Sequence, residues 1–184
     1  MWRSEDLAQG LGVTWTTRSS AKNFQPYWIR MRLELIFPGK TKEKYLAEGI
    51  KDFLGRLQRY AKVEIRTVKE GNPRKDKDLL LKEEGEYMLK AVRDNSLLVV
   101  LDPTGRQLSS EDLAVQLEQW QQQSRQWVTF LVGGPLGLSP EVSKRANLTL
   151  SLSKMTFTHD MARMLLIEQL YRAFSILSGS KYHK

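Results

Sequence analysis

Residues 128–141, Val-Thr-Phe-Leu-Val-Gly-Gly-Pro-Leu-Gly-Leu-Ser-Pro-Glu, constrain this chain more than any other stretch. Val128 to Val132 is a short apolar run with β-branched residues at both ends, the pattern of a buried strand. Gly133 and Gly134 follow at once, so the backbone there can take positive φ or approach a ligand closely. Pro135 and Gly137 keep the turn tight. Ser139 offers an N-cap oxygen, and Pro140 suits a first helical position. Strand, glycine turn and helix in succession are the unit of an α/β sheet, whose ligands sit at the carboxyl ends of its strands. The turn lacks the Lys-Ser/Thr pair of a P-loop and the G-x-G-x-x-G spacing of a dinucleotide site. A Gly-Gly-Pro turn by itself is as often structural as functional, so its meaning depends on what meets it.

A chain of 184 residues suits one domain with a sizeable core. Net charge is +8 and the pI about 9.7, which favours an anionic partner, although a merely basic surface is equally compatible. No cysteine is present, which excludes disulfides, thiolate catalysis and Cys-ligated zinc. His159 and His183 are the two histidines, too few to suggest a catalytic metal centre. No run approaches the ~20 apolar residues of a membrane span, and no apolar leader follows the N-terminus. The expectation is a soluble, cytoplasmic protein without metal.

Residues 1–30 scatter Trp2, Trp15, Phe24, Tyr27 and Trp28 among polar residues without a regular period. Met31 opens the first clean strand, so residues 1–30 are expected to be a poorly ordered extension or a mis-assigned start, and 31–184 the domain. The patterning then predicts strands at 31–37, 61–68, 96–102, 128–132 and 147–152. Helices are predicted at 42–58, 78–92, 109–123, 139–146 and 159–178. Residues 69–77 read as a surface loop with basic residues that could touch phosphate, and Asp102–Gly105 as a turn ending the third strand. The alternation predicts an α/β fold, a parallel-rich sheet flanked by helices.

Parallel strands bring three chemistry-bearing ends to one edge: Leu101 onwards, the turn after Val132, and Leu152 to Phe157. Leu101, Met155 and Phe157 would wall a flat, purine-bearing ligand read mostly by backbone groups. On the last helix, Ala162, Leu166, Ile167, Leu170, Ala173, Phe174 and Leu177 share one arc, and Arg163 falls inside it. A guanidinium there needs an anion or acceptor, either a ligand at the sheet edge or a structural carboxylate. The opposite arc carries Met161, Leu165 and Ile176, which suggests a second packing surface and a homodimer. The terminal Tyr182-His183-Lys184 is either a frayed tail or one that docks in an active site.

Several motifs occur in order: Leu101-Asp-x-x-Gly, Gly133-Gly-Pro-x-Gly-Leu-Ser, Ser151-x-Ser-Lys-Met-Thr-Phe-x-His, Leu166-x-Glu-Gln-Leu-Tyr-Arg-Ala-Phe and Tyr182-His183-Lys184. As a set, from Met31 to Lys184, they resemble the ribosomal RNA large subunit methyltransferase H family, small SPOUT-class enzymes of bacteria. The resemblance implies a SPOUT-type fold with a C-terminal trefoil knot, a homodimer, and S-adenosyl-L-methionine as methyl donor. It further implies methylation at N3 of a pseudouridine in helix 69 of 23S rRNA in the ribosome. Cofactor contacts carry over to Leu101, Gly133, Gly134, Leu152, Ser153, Lys154, Met155, Thr156 and Phe157. Catalytic roles fall to His183, Tyr182 and Arg163, and RNA contacts to Arg172 and Lys184. His183 suits a proton acceptor near neutral pH.

Pro38, Thr158 and the residues before Met31 depart from the family pattern, and none of them is expected to touch the glycine turn or the tail. The alternative is a non-catalytic RNA-binding module that kept the SPOUT fold. A different cofactor-dependent α/β enzyme would need the phosphate-binding motifs that are absent here.

Overall fold

The strand at Arg32–Pro38 (β1) is buried along almost its whole length, as expected of a strand covered on both faces. In this computed structural model, which describes residues 31–72, 74 and 76–180, nine further elements follow it. They are α1 (Lys44–Leu57), β2 (Lys62–Val68), α2 (Lys77–Ala91), β3 (Leu97–Gln107), α3 (Ser110–Gln122), β4 (Trp127–Val132), α4 (Pro140–Arg145), β5 (Leu148–Ser151) and α5 (His159–Leu177). The expectations for residues 1–30 and for Tyr182, His183 and Lys184 lie outside the described residues.

Local chemistry sets the helix starts. Ser109 and Asp112 form a reciprocal capping box on α3. Asp76 caps α2 through the amides of Asp78 and Leu79. Ser139, with Pro140 behind it, caps α4, and Thr158 caps α5.

The strands form one five-stranded sheet in the order β2-β1-β4-β3-β5, and every pairing is parallel. Alternate strand residues face opposite layers. Leu33, Leu35, Phe37, Val99, Val128, Phe130 and Val132 pack beneath α1, α3 and α5. Ile36, Leu98, Val100 and Leu131 pack on the other side, with Met88 of α2 and Val142 of α4. Glu34 is fully buried. Its carboxylate accepts hydrogen bonds from Arg66 Nη1 (3.0 Å) and Thr129 Oγ1 (3.1 Å), and Arg93 Nε stands 3.5 Å away.

One expectation needs correction. The Asp102–Gly105 turn does not end β3. Asp102 Oδ1 accepts from the Thr104 amide and hydroxyl, which bulges the chain out of register, and Arg106 and Gln107 then resume pairing with β5. Helix α5 packs against both α1 and α3, while Met161, Leu165 and Ile176 of its opposite arc stay half-buried. Met164 crowds Gly49 of α1, and Ser110 Oγ of α3 donates to Gln169 Oε1 at 2.7 Å.

Candidate functional site

Strands β4, β3 and β5 are neighbours and run the same way, so their carboxyl ends lie side by side. Leu101 pairs with Val132 on one flank and Leu150 on the other. A cavity of about 410 Å³ opens beside the ends of β4 and β5 and the bulge that follows Leu101 in β3. That size is in the range of sites for small molecules and cofactors. β3 contributes Leu101, Asp102 and Pro103, and the glycine turn contributes Val132, Gly133, Gly134, Pro135 and Gly137. The segment after β5 adds Leu152, Ser153, Met155, Thr156 and Phe157, and the start of α5 adds Thr158, His159 and Ala162.

The turn is shaped by contacts that a side chain would break. Gly134 and Gly137 form an isolated bridge, and the Gly137 amide donates to the Gly134 carbonyl at 3.0 Å. Gly137 sits at φ +86°, where L side chains are strained. A Cβ on Gly133 would lie 2.4 Å from the Gly137 carbonyl oxygen. The facing wall is held by serines: Ser151 Oγ donates to the Ser153 carbonyl at 2.9 Å, and Ser153 Oγ accepts from the Met155 amide at 3.0 Å. Met155 is 74% exposed and Phe157 39%, so two large apolar side chains stand at the mouth.

Of the nine residues expected to hold a cofactor, eight line this cavity: Leu101, Gly133, Gly134, Leu152, Ser153, Met155, Thr156 and Phe157. Lys154 is exposed and is not part of the lining. His159 and Ala162 were not expected there. They come from the first turn of α5, and only the strand order, which periodicity does not give, brings that turn to the cavity.

Arg163, expected from sequence to need an anion or acceptor, is fully buried and is not among the residues that line the cavity. Its Nη1 donates to Asp160 Oδ1 at 2.9 Å, its Nη2 to the Pro38 carbonyl, and the group stacks over Phe37. Burial pushes its pKa down, and Asp160 opposes that shift. The arginine thus ties α5 to the end of β1, and of the two readings open from sequence the structural carboxylate is the one observed. Arg172 lies ~15 Å of helix beyond Ala162. It is paired with Glu168 through Nε (3.0 Å) and Nη2 (2.5 Å).

A family model described as predicted SPOUT methyltransferase matches residues 31–183. The chain belongs to the SPOUT methyltransferase family. Two similar SPOUT relatives are both named ribosomal RNA large subunit methyltransferase H. The one from Desulfotalea psychrophila is 51% identical over 154 residues, covering 84% of this chain and 100% of the relative. The one from Acetivibrio thermocellus is 43% identical over 159 residues, with 84% and 100% coverage. The five-stranded parallel sheet flanked by helices is therefore a SPOUT methyltransferase fold. Among the described residues of this SPOUT chain, no helix is long and apolar enough to cross a membrane.

Proposed function

We propose that this chain transfers a methyl group from S-adenosyl-L-methionine to N3 of a pseudouridine in helix 69 of 23S rRNA, acting as a homodimer. The carrying observation is the cavity beside β3, β4 and β5, in a chain whose relatives are named for large-subunit rRNA methylation. The cavity suits such a donor. Leu101, Val132, Leu152 and Ala162 offer apolar walls for an adenine ring, and the peptide groups of Gly133, Gly134 and Gly137 offer its edges donors and acceptors. The knot implied by the resemblance belongs to the same reading.

When bound, S-adenosyl-L-methionine would supply an electrophilic methyl group on a positively charged sulfur. The rigid glycine turn and the serine-braced loop after β5 would fix the donor so that its methyl points at the acceptor. Transfer forms the N3–carbon bond and breaks the sulfur–carbon bond, whose electron pair stays on sulfur. The N3 proton must leave, and His183, with Tyr182 beside it, is assigned to receive it. Lys184 and the chain's net charge of +8 serve to hold rRNA phosphates.

The test is to incubate the protein and S-adenosyl-L-methionine with ribosomes from a strain lacking this modification, then examine the rRNA by mass spectrometry. One new methyl on one helix 69 pseudouridine is expected. Donor binding without any rRNA methylation would overturn the reading.

A further inference from the structure

Among the described residues, the cavity lining contains no Lys or Arg, and its charged or titratable members are Asp102 and His159. Behind the glycine turn lies a further carboxylate. Glu84 of α2 is 3% exposed. Its Oε1 accepts the Gly71 amide at 2.8 Å. Its Oε2 lies 2.8 Å from where a Cβ on Gly134 would sit, directly against the cavity wall. No Lys or Arg among the described residues forms an ion pair with Glu84, and no donor there is paired with Oε2. A buried carboxylate without a cationic neighbour is costly unless something offsets it. Nothing else in the mechanism uses it.

We propose that Glu84 is a specificity-determining residue: through Gly134 it makes the cavity prefer a cationic sulfonium donor over the neutral thioether left after transfer. This rests on the methyl-donor reading given above. Donor and product share the adenosine and the amino-acid end, so the apolar walls, the peptide groups and the start of α5 hold both alike. They differ by one methyl and one positive charge at sulfur. An acceptor fixed behind the turn acts on that charge alone. Glycine at 134 is what lets the carboxylate come so near. Selection against the thioether would also clear the cavity after each turnover, since the spent molecule loses the interaction that held its precursor.

The experiment is calorimetry of the full-length protein with S-adenosyl-L-methionine and with S-adenosyl-L-homocysteine, in wild type and Glu84→Gln. The amide keeps an acceptor for the Gly71 amide and removes the charge. In wild type the sulfonium should bind more tightly. In E84Q that preference should narrow by roughly three- to tenfold, through weaker donor binding, with thioether affinity unchanged. An unchanged ratio overturns the proposal, and so does an equal loss for both ligands, which would make Glu84 a structural support only. If neither ligand binds wild type, the methyl-donor reading itself fails. Should E84Q not fold, Glu84→Asp, which keeps the charge but withdraws it by one methylene, must narrow the sulfonium preference, and an unchanged ratio overturns the proposal.

Discussion

At the scale of single residues, the positions that matter are those where one atom more would not fit, or one partner fewer would leave a charge alone. Gly133→Ala puts a methyl 2.4 Å from a backbone oxygen, which cannot yield as a side chain end would. Donor affinity should fall by more than about tenfold, read by calorimetry, because the turn forms the cavity wall. Arg163→Met should cost about 3–5 kcal/mol, since it leaves Asp160 buried without its cation. A denaturant titration checks this, and a shift below about 1 kcal/mol would return Arg163 to the candidates for ligand binding. Sequence reasoning reached Arg163 as an oddity on an apolar arc but could not choose its partner. The choice depends on the Pro38 carbonyl and Asp160 converging from opposite sides, which is a tertiary fact. Glu34 and Glu84 were invisible for the same reason: in sequence each is one more acidic residue in an alternating pattern.

At the scale of elements, most of the plan was legible. Periodicity placed every strand and helix, and the caps Ser109 and Ser139 were read directly, whereas the caps Asp76 and Thr158 came only with the structure. The failure was β3. Asp102-Pro-Thr-Gly carries true turn chemistry, and the Asp102 side chain makes the expected local bonds. Local signals cannot say that the chain resumes its ladder afterwards, because the partner is β5, more than forty residues further on. Gly105 permits that return. An alanine there would meet Thr149 backbone atoms at 2.7 Å and the Leu150 carbonyl carbon at 2.9 Å. Gly105→Ala should therefore lower the melting temperature by about 5 °C or more, whereas Gly55→Ala, with nothing within 4 Å of the added carbon, should not lower it.

At the scale of the whole molecule, the fold supplies the donor cavity and the charge supplies attraction to an anionic partner. Removing residues 182–184 should abolish methylation while leaving donor affinity within about twofold, because the described strand ends and the start of α5 already enclose the cavity. Full activity without the tail would remove Tyr182 and His183 from the mechanism. Association with rRNA should weaken steeply as salt rises, with a log–log slope that counts displaced counterions. The order β2-β1-β4-β3-β5 carries one more consequence, for biosynthesis. The central strand of the sheet is the fourth to be made: Arg32 must wait for Trp127 to pair with it. Until residues 127–132 leave the ribosome, β1 and β3 each present an unpaired apolar edge, a template for wrong partners. A nascent chain arrested just before Trp127 should thus depend on chaperones, and one arrested past Leu177, with the last two strands and two helices added, should not.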